Sequence, residues 1–221
     1  MAKLTWDNTG ERFYETGVKN VALYVFDNTS GAKKYKEGIA WNGVTAISES
    51  PSGAEPTALY ADDKKYLNLL SAEEFAASIE AYTYPDEFAE CDGSAELTKG
   101  VMLGQQKRKT FGLVYKTTLG NDTDGNDYGY KLHIIYGCTA KPSEKQYSSI
   151  NDSPEAVTMS WEIETTPINV TGFKPTSYIC IDSTKADPTK LATLEGMLFG
   201  TAEAEAKLPL PDEIKTTMTA A

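Results

Sequence analysis

The sequence predicts a mainly β protein: an antiparallel β-sandwich or open barrel with one long hairpin and one or two short flanking α-helices. Three observations carry this. Residues 156–165 alternate cleanly, with Val157, Met159, Trp161 and Ile163 on one face and Thr158, Ser160, Glu162 and Glu164 on the other. That is the pattern of an antiparallel sheet with one buried and one wet face. Strand-like runs are separated by polar turn clusters such as Gly120–Asp127. The aromatic residues are 13 Tyr against 7 Phe and 3 Trp, and Tyr together with Thr favours half-wet strands.

Taken in order, the opening segment to about Lys36 holds one strand, Val21–Phe26, punctuated by turns at Asp7–Gly10 and Asn28–Gly31. It reads as an N-terminal arm reaching a neighbour, or as an edge strand with loose ends. A strand over Gly38–Ser48 is interrupted at Asn42-Gly43. The polar stretch Glu49–Pro56 then reads as the flexible tip of a long hairpin that returns through Thr57–Tyr60 and Tyr66–Leu70. Ser71–Tyr84 fits two patterns. Ser71-Ala-Glu-Glu74 is a helix capping box with Phe75 and Ile79 at i, i+4. Phe75, Ala77, Ile79 and Ala81 also alternate, and the strand-like ending Tyr82-Thr-Tyr-Pro85 favours a strand. A short helix fits Asp86–Cys91, stopped by Gly93.

The middle of the chain is the clearest β region, with strands at Phe111–Leu119, Tyr128–Gly137, Ala156–Thr165 and Thr176–Asp182. Asp187-Pro188 supplies an N-cap and an N1 proline, and Leu191, Leu194 and Leu198 a helical stripe that Met197 joins, ending at Gly200. Residues 201–221 read as an extended tail with one last turn. With no internal repeat and no low-complexity linker, the 221 residues are expected to form one domain.

The net charge is −11 and the only dense basic stretch is Lys107-Arg108-Lys109. Such a surface repels polyanions and does not fit tight DNA binding. Cys91, Cys138 and Cys180 lie far apart without CxxC spacing, which argues against a disulfide framework or a zinc site and points to a reducing cytoplasm as the folding compartment. No apolar run at the start resembles a signal peptide, and the longest such run, Val21–Phe26, is far too short to span a bilayer. The sequons at Asn28, Asn121, Asn151 and Asn169 are therefore read as chance matches.

Signals for chemistry are sparse, and no cofactor, metal or catalytic residue is expected. The one histidine, His133, lies inside a strand and reads as a structural or surface residue. Asp122-Thr-Asp-Gly-Asn-Asp127 starts like a calcium loop but has Asp127 where a glycine is needed and His133 where a glutamate is needed. A hairpin turn explains the same residues. Asp62-Asp63 and Glu73-Glu74 are adjacent in sequence, so on a strand each pair splits between two faces and forms no acid–base dyad.

The ordered set Gly38-Ile-Ala-Trp-Asn-Gly43 running on to Asp62-Asp63, then Glu80-Ala-Tyr-Thr-Tyr-Pro-Asp-Glu-Phe-Ala-Glu90, Lys109-Thr-Phe-Gly-Leu113 and Ala156-Val-Thr-Met-Ser-Trp-Glu-Ile-Glu-Thr-Thr-Pro167 resembles the major tail tube proteins of siphophages of Gram-positive hosts. The similarity covers roughly residues 3–214. It implies the tail-tube fold, with a hairpin from each subunit lining a channel, and a virion protein made in the host cytoplasm with no membrane partner. Subunits would form hexameric rings that stack into a tube and meet tape-measure, tail terminator and distal tail proteins. Phage DNA would pass through without specific binding.

Carried onto this sequence, the resemblance assigns the lumen to the hairpin Gly38–Leu70. Its acidic candidates are Glu49, Glu55, Asp62 and Asp63, and its interface candidates are Trp41, Tyr60 and Tyr66. Lys64-Lys65 departs from an all-acidic lining. Six copies at −11 carry −66, a charge that lets DNA slide rather than adsorb. The alternative is a β-sandwich binding module, for carbohydrate or for capsid decoration, which predicts a concave aromatic patch. An enzyme would need acid–base and nucleophile signals that the sequence lacks.

Overall fold

A computed structural model describes residues 3–28, 34–150, 152 and 156–219. Part of the turn expected at Asn28–Gly31 and the sequon at Asn151 lie outside them. The strands are β1 (Tyr14–Asp27), β2 (Lys34–Tyr35), β3 (Ile39–Ala40), β4 (Val44–Glu49), β5 (Ser52–Gly53), β6 (Pro56–Ala61), β7 (Lys64–Leu70), β8 (Glu73–Glu74) and β9 (Ala76–Ala81). A 3₁₀ turn over Asp86–Glu90 precedes β10 (Ala95–Thr98), β11 (Val101–Leu103), β12 (Phe111–Asn121), β13 (Gly125–Ala140), β14 (Met159–Thr165) and β15 (Tyr178–Asp182). Two helices close the chain, α1 (Pro188–Phe199) and α2 (Pro211–Thr219).

The main sheet is antiparallel, in the order β2-β1-β12-β13-β14-β9-β4, with β3 also on β1 and β15 also on β13. Its two ends are joined by chain continuity. β3 pairs with β1, the Trp41 amide donates to the Val21 carbonyl at 2.9 Å, and the chain enters β4 on the far edge at Val44. The sheet thus curls into an open barrel, as the sequence predicts.

β1 shows how the sequence sets two cores. Val21, Leu23 and Val25 face the barrel interior, while Ala22 and Tyr24 face the helices. A strand buried on both faces reads as an unbroken apolar run. β1 begins at Tyr14, so residues 14–27, with Lys34–Tyr35 beside them, belong to the sheet and residues 3–13 precede it, where an arm or an edge strand was expected over 1–36.

Inside the barrel, Trp161 is fully buried and touches three aromatic rings, with centroids 5.6 Å from Trp41, 5.3 Å from Phe88 and 5.5 Å from Tyr84. These tilted and edge-on pairs match the ring quadrupoles. On the outside, Leu191, Leu194 and Leu198 of α1 cover Tyr24, Leu132, Ile134 and Tyr136. Each such leucine contributes about 1.5–3 kcal/mol of burial. The Asp187 carboxylate caps α1 by accepting from the Thr189 and Lys190 amides. α2 replaces most of the extended tail expected after Leu208. Glu213 accepts from the Leu210 amide at its start, and Ile214 anchors it in the outer core.

Residues 71–84 are extended, as favoured: β9 pairs with both β14 and β4, with Ala77, Ile79 and Ala81 buried. The calcium-like segment is the β12–β13 turn. There the Asn121 side chain accepts from the Thr123 and Asp124 amides, and Asp122 accepts from the Gly10 amide. Among the described residues no group of His, Cys, Asp and Glu is arranged to hold a metal, and no helix is long and apolar enough to cross a membrane.

Gly137 divides β13. Residues 131–135 pair with β15, and residues 138–140 pair with β14. Between them the register with β12 slips by one, and Gly137 has φ +64°. A Cβ at this position would lie 2.2 Å from the Thr166 carbonyl oxygen. Gly137→Ala should therefore cost about 2 kcal/mol or more, since a left-handed non-glycine alone costs about 1–2. Urea unfolding checks this as a lower midpoint at unchanged m.

Candidate assembly interface

The hairpin is longer than the sequence suggested, and its tip lies elsewhere. β4 pairs with β9, β5 with β8 and β6 with β7. From Ala46↔Glu80 through Gly53↔Glu73 to Leu59↔Leu67, each pair of residue numbers adds to 126, so three short ladders are one hairpin in one register. The tip is Asp62-Asp63, with φ of 50° and 58°. Two left-handed residues in succession make the tight turn that matches strand twist, and aspartate tolerates that region better than most residues. Glu49–Pro56, expected as the tip, runs instead along the outgoing arm. A kink at Gly53 and Ala54, with φ of 83° and 52°, separates a proximal part from a distal one.

The distal part, β6 and β7, leaves the core entirely. Cross-strand partners in an antiparallel ribbon share a face. Leu59 with Leu67 and Thr57 with Leu69 lie on one side, and Pro56 with Leu70 and Ala58 with Asn68 on the other. Both faces thus carry exposed apolar side chains. Tyr60 and Tyr66 are 72% and 73% exposed and Leu70 is 70% exposed. The two strands pair only with each other, so both outer edges keep unpaired backbone groups. An isolated two-stranded ribbon is marginal in water. One that is apolar on both faces and open on both edges is built to be covered.

The expected interface residues separate on this geometry. Tyr60, Tyr66, Asp62 and Asp63 cluster at the exposed end, and Glu55 lies beside the kink. Trp41 does not join them. It is 2% exposed, its indole N–H donates to the Thr83 carbonyl at 2.8 Å, and its ring packs on Phe88 at 4.5 Å. It belongs to the interior core because β3 pairs with β1 and turns the ring inward. Glu49 is also drawn back to the body, where it accepts from the Tyr115 hydroxyl and lies 3.3 Å from His133 Nδ1.

A second surface was not assigned from sequence. The outer face of the barrel splits in two. α1 and α2 cover the part made by β1, β12 and the first half of β13. The face of β4, β9 and β14 that points away from the interior carries small and acidic side chains in three cross-strand rows. These are Ala46–Glu80–Ser160, Ser48–Ser78–Glu162, and Ala76–Glu164–Thr139. Glu80, Glu162 and Glu164 are exposed, and among the described residues Lys141 is the cation that pairs there, with Glu162 at 3.5 Å and Glu164 at 2.9 Å. The alternation in Ala156–Thr165 already placed Glu162 and Glu164 on the wet face.

The basic stretch is largely neutralised. Arg108 reaches Asp92 and donates to the Ala140 carbonyl at 3.1 Å, and Lys109 pairs with Glu90. All three cysteines are free, and burial pushes the Cys91 thiol up to about 12.

No protein-family model matches the chain, and no curated protein matches it. Among solved structures, a chain of the anti-feeding prophage baseplate, in a 6-fold symmetrised cryo-EM structure, matches with a TM-score of 0.36 at 10% identity. The match covers 82% of this chain and 99% of that one. Likeness at that level is too slight to carry a functional inference.

The exposed tip sets a simple test. Limited trypsin digestion of the monomer should cut first after Lys64 or Lys65, leaving the body intact. Mass spectrometry of the early fragments reads the order of cuts. Early cuts within the body and an intact hairpin would contradict the geometry.

Proposed function

We propose that the chain is a structural subunit that assembles with copies of itself into stacked hexameric rings, forming the tail tube of a phage with a long non-contractile tail. The observation that supports this most is the hairpin over residues 44–81. It prolongs the body sheet beyond the core, and its distal half offers two apolar faces and two open edges at once. A copy on either side would pair both edges and bury the leucines, and a rotation that closes leaves no edge exposed.

In such a ring the bare face of β4, β9 and β14 is the lumen surface of the body, with Glu80, Glu162 and Glu164 as its fixed negative charges. Asp62, Asp63 and Glu55 extend that charge along the hairpin, and Tyr60 and Tyr66 are the interface residues near its end. Lys64 and Lys65 temper the charge beside the tip. Small side chains and like charge suit a conduit that DNA crosses without adsorbing. The sequence resemblance supports the same reading, including the tape-measure and tail terminator partners and the place in the virion.

Negative-stain electron microscopy of the concentrated protein should show rings or tubes with a central channel. Leu67→Asp places a charge on an exposed position, so the monomer should fold normally. Its threshold concentration for assembly should rise roughly tenfold or more, the effect of about 1.4 kcal/mol or more at a contact made by every subunit. Monomers alone, even when seeded with a tail initiator complex, would refute the proposal.

A further inference from the structure

The single histidine of the chain sits at the exit of the hairpin. His133 is 5% exposed, and its ring stacks on Tyr115 with centroids 4.5 Å apart and planes 2° from parallel. Its Nδ1 lies 2.8 Å from the Tyr178 hydroxyl and 3.3 Å from a Glu49 carboxylate oxygen. Its Nε2 lies 2.8 Å from the Thr117 hydroxyl and 3.5 Å from a Glu15 carboxylate oxygen. Each ring nitrogen therefore faces one hydroxyl and one carboxylate.

Both arms of the hairpin end on this cluster. Glu49 is the last residue of β4 before the outgoing arm departs. On the returning arm, Phe75 stacks on Tyr178 with centroids 4.8 Å apart. We propose that His133 is a proton-operated latch on the base of the hairpin. As an imidazolium it ties Glu49 on β4 to Glu15 on β1; as a neutral ring it holds one of them, and the base of the hairpin loosens.

The surrounding groups leave His133 as the one that switches. The titratable neighbours are Glu15 on β1, Glu49 on β4, Tyr115 on β12, Lys131 on β13, and Tyr178 and Cys180 on β15. Burial above all pushes the Tyr115 and Tyr178 phenols well up, so both stay protonated donors. Burial also raises the Cys180 thiol. The hydrogen bond with His133, ahead of opposing burial, holds the Glu49 carboxyl below its ordinary value. Burial opposes ionisation of Glu15, but hydrogen bonds from Lys131 and Thr117 outweigh it and its carboxyl is lowered too.

Lys131 pairs with Glu15, and among the described residues no lysine or arginine pairs with Glu49, so an imidazolium completes the balance. A neutral imidazole has only one N–H to share between the two carboxylates.

The test uses the monomeric protein and does not depend on whether it forms a tube. One histidine gives one imidazole Cε1–H resonance, so proton NMR reads its charge state directly. Amide exchange then gives protection factors for Val44–Glu49 and Ala76–Ala81, normalised to Val21–Val25. That ratio should fall roughly tenfold as the imidazole loses its proton, the weight of one charge-assisted hydrogen bond to a partly exposed carboxylate. The midpoint should coincide with the imidazole titration. Below the ordinary carboxylate value of 4.5 the ratio should fall again, as pH drops through the lowered pKa of Glu49 and that residue takes up its proton.

Glu49→Gln, at a side chain one-third exposed, keeps the fold and should flatten the change that follows the imidazole. His133→Gln should flatten it as well. If His133→Gln does not fold, Glu49→Gln decides. A ratio independent of pH in the unaltered protein, a midpoint away from the imidazole titration, or a Glu49→Gln variant that follows the unaltered curve would overturn the latch.

Discussion

The fold turns on one glycine. Gly137 adopts a left-handed conformation that a side chain could not share with the Thr166 carbonyl, and the register of β13 slips there. Before it, Leu132, Ile134 and Tyr136 face the helices; after it, Cys138 and Ala140 face the interior. Without that slip, one strand could not offer β15 and β14 successive stretches of the same edge. β14 carries β9, β9 carries β4, and β4 and β9 together carry the hairpin. The position of the whole projecting element therefore descends from a single backbone irregularity on the opposite side of the barrel.

The two halves of the barrel exterior follow different chemistry from that point. Where β13 pairs with β15, the outward residues are large and apolar, and α1 and α2 bury them. Where it pairs with β14, the outward residues are serine, alanine, threonine and glutamate, and no helix covers them. A sheet face without large apolar side chains needs no cover for stability. Of these strands, β4 and β9 continue into the ribbon, whose leucines and tyrosines stay exposed.

Much of this was legible in the sequence where local rules decide. Asp187-Pro188 and Gly200 bound α1 because capping and backbone stereochemistry are local effects. Strict alternation placed Trp161 and Ile163 inside and Glu162 and Glu164 outside. The hairpin tip was not legible. Pro51, Gly53 and Pro56 resemble a turn, yet the outgoing arm is held extended by Glu73 and Glu74, partners 20 and 22 residues away from Gly53 and Ser52. The true turn uses aspartates at positive φ, where a glycine is the usual sign. Trp41 was misplaced because an aromatic looks alike at an interface and in a core; only the pairing of β3 with β1 distinguishes them. The network around His133 joins residues from β1 to β15, a sequence separation no local pattern spans. α2 was missed for a different reason: it is short and rich in threonine, and its stability comes from Ile214 packing rather than propensity.

The bare face also has a mechanical character. Serine, alanine and threonine have few rotatable bonds, so rows such as Ser48–Ser78–Glu162 present a relief fixed mainly by the backbone. Long flexible side chains would make a surface that yields, tangles and changes its dimensions with each passing contact. Here the glutamates and Lys141 are the long side chains, and they stand on a hydrogen-bonded sheet. In the tube proposed above, a passing chain would meet a wall wetted by hydroxyls whose relief is set mainly by strand geometry.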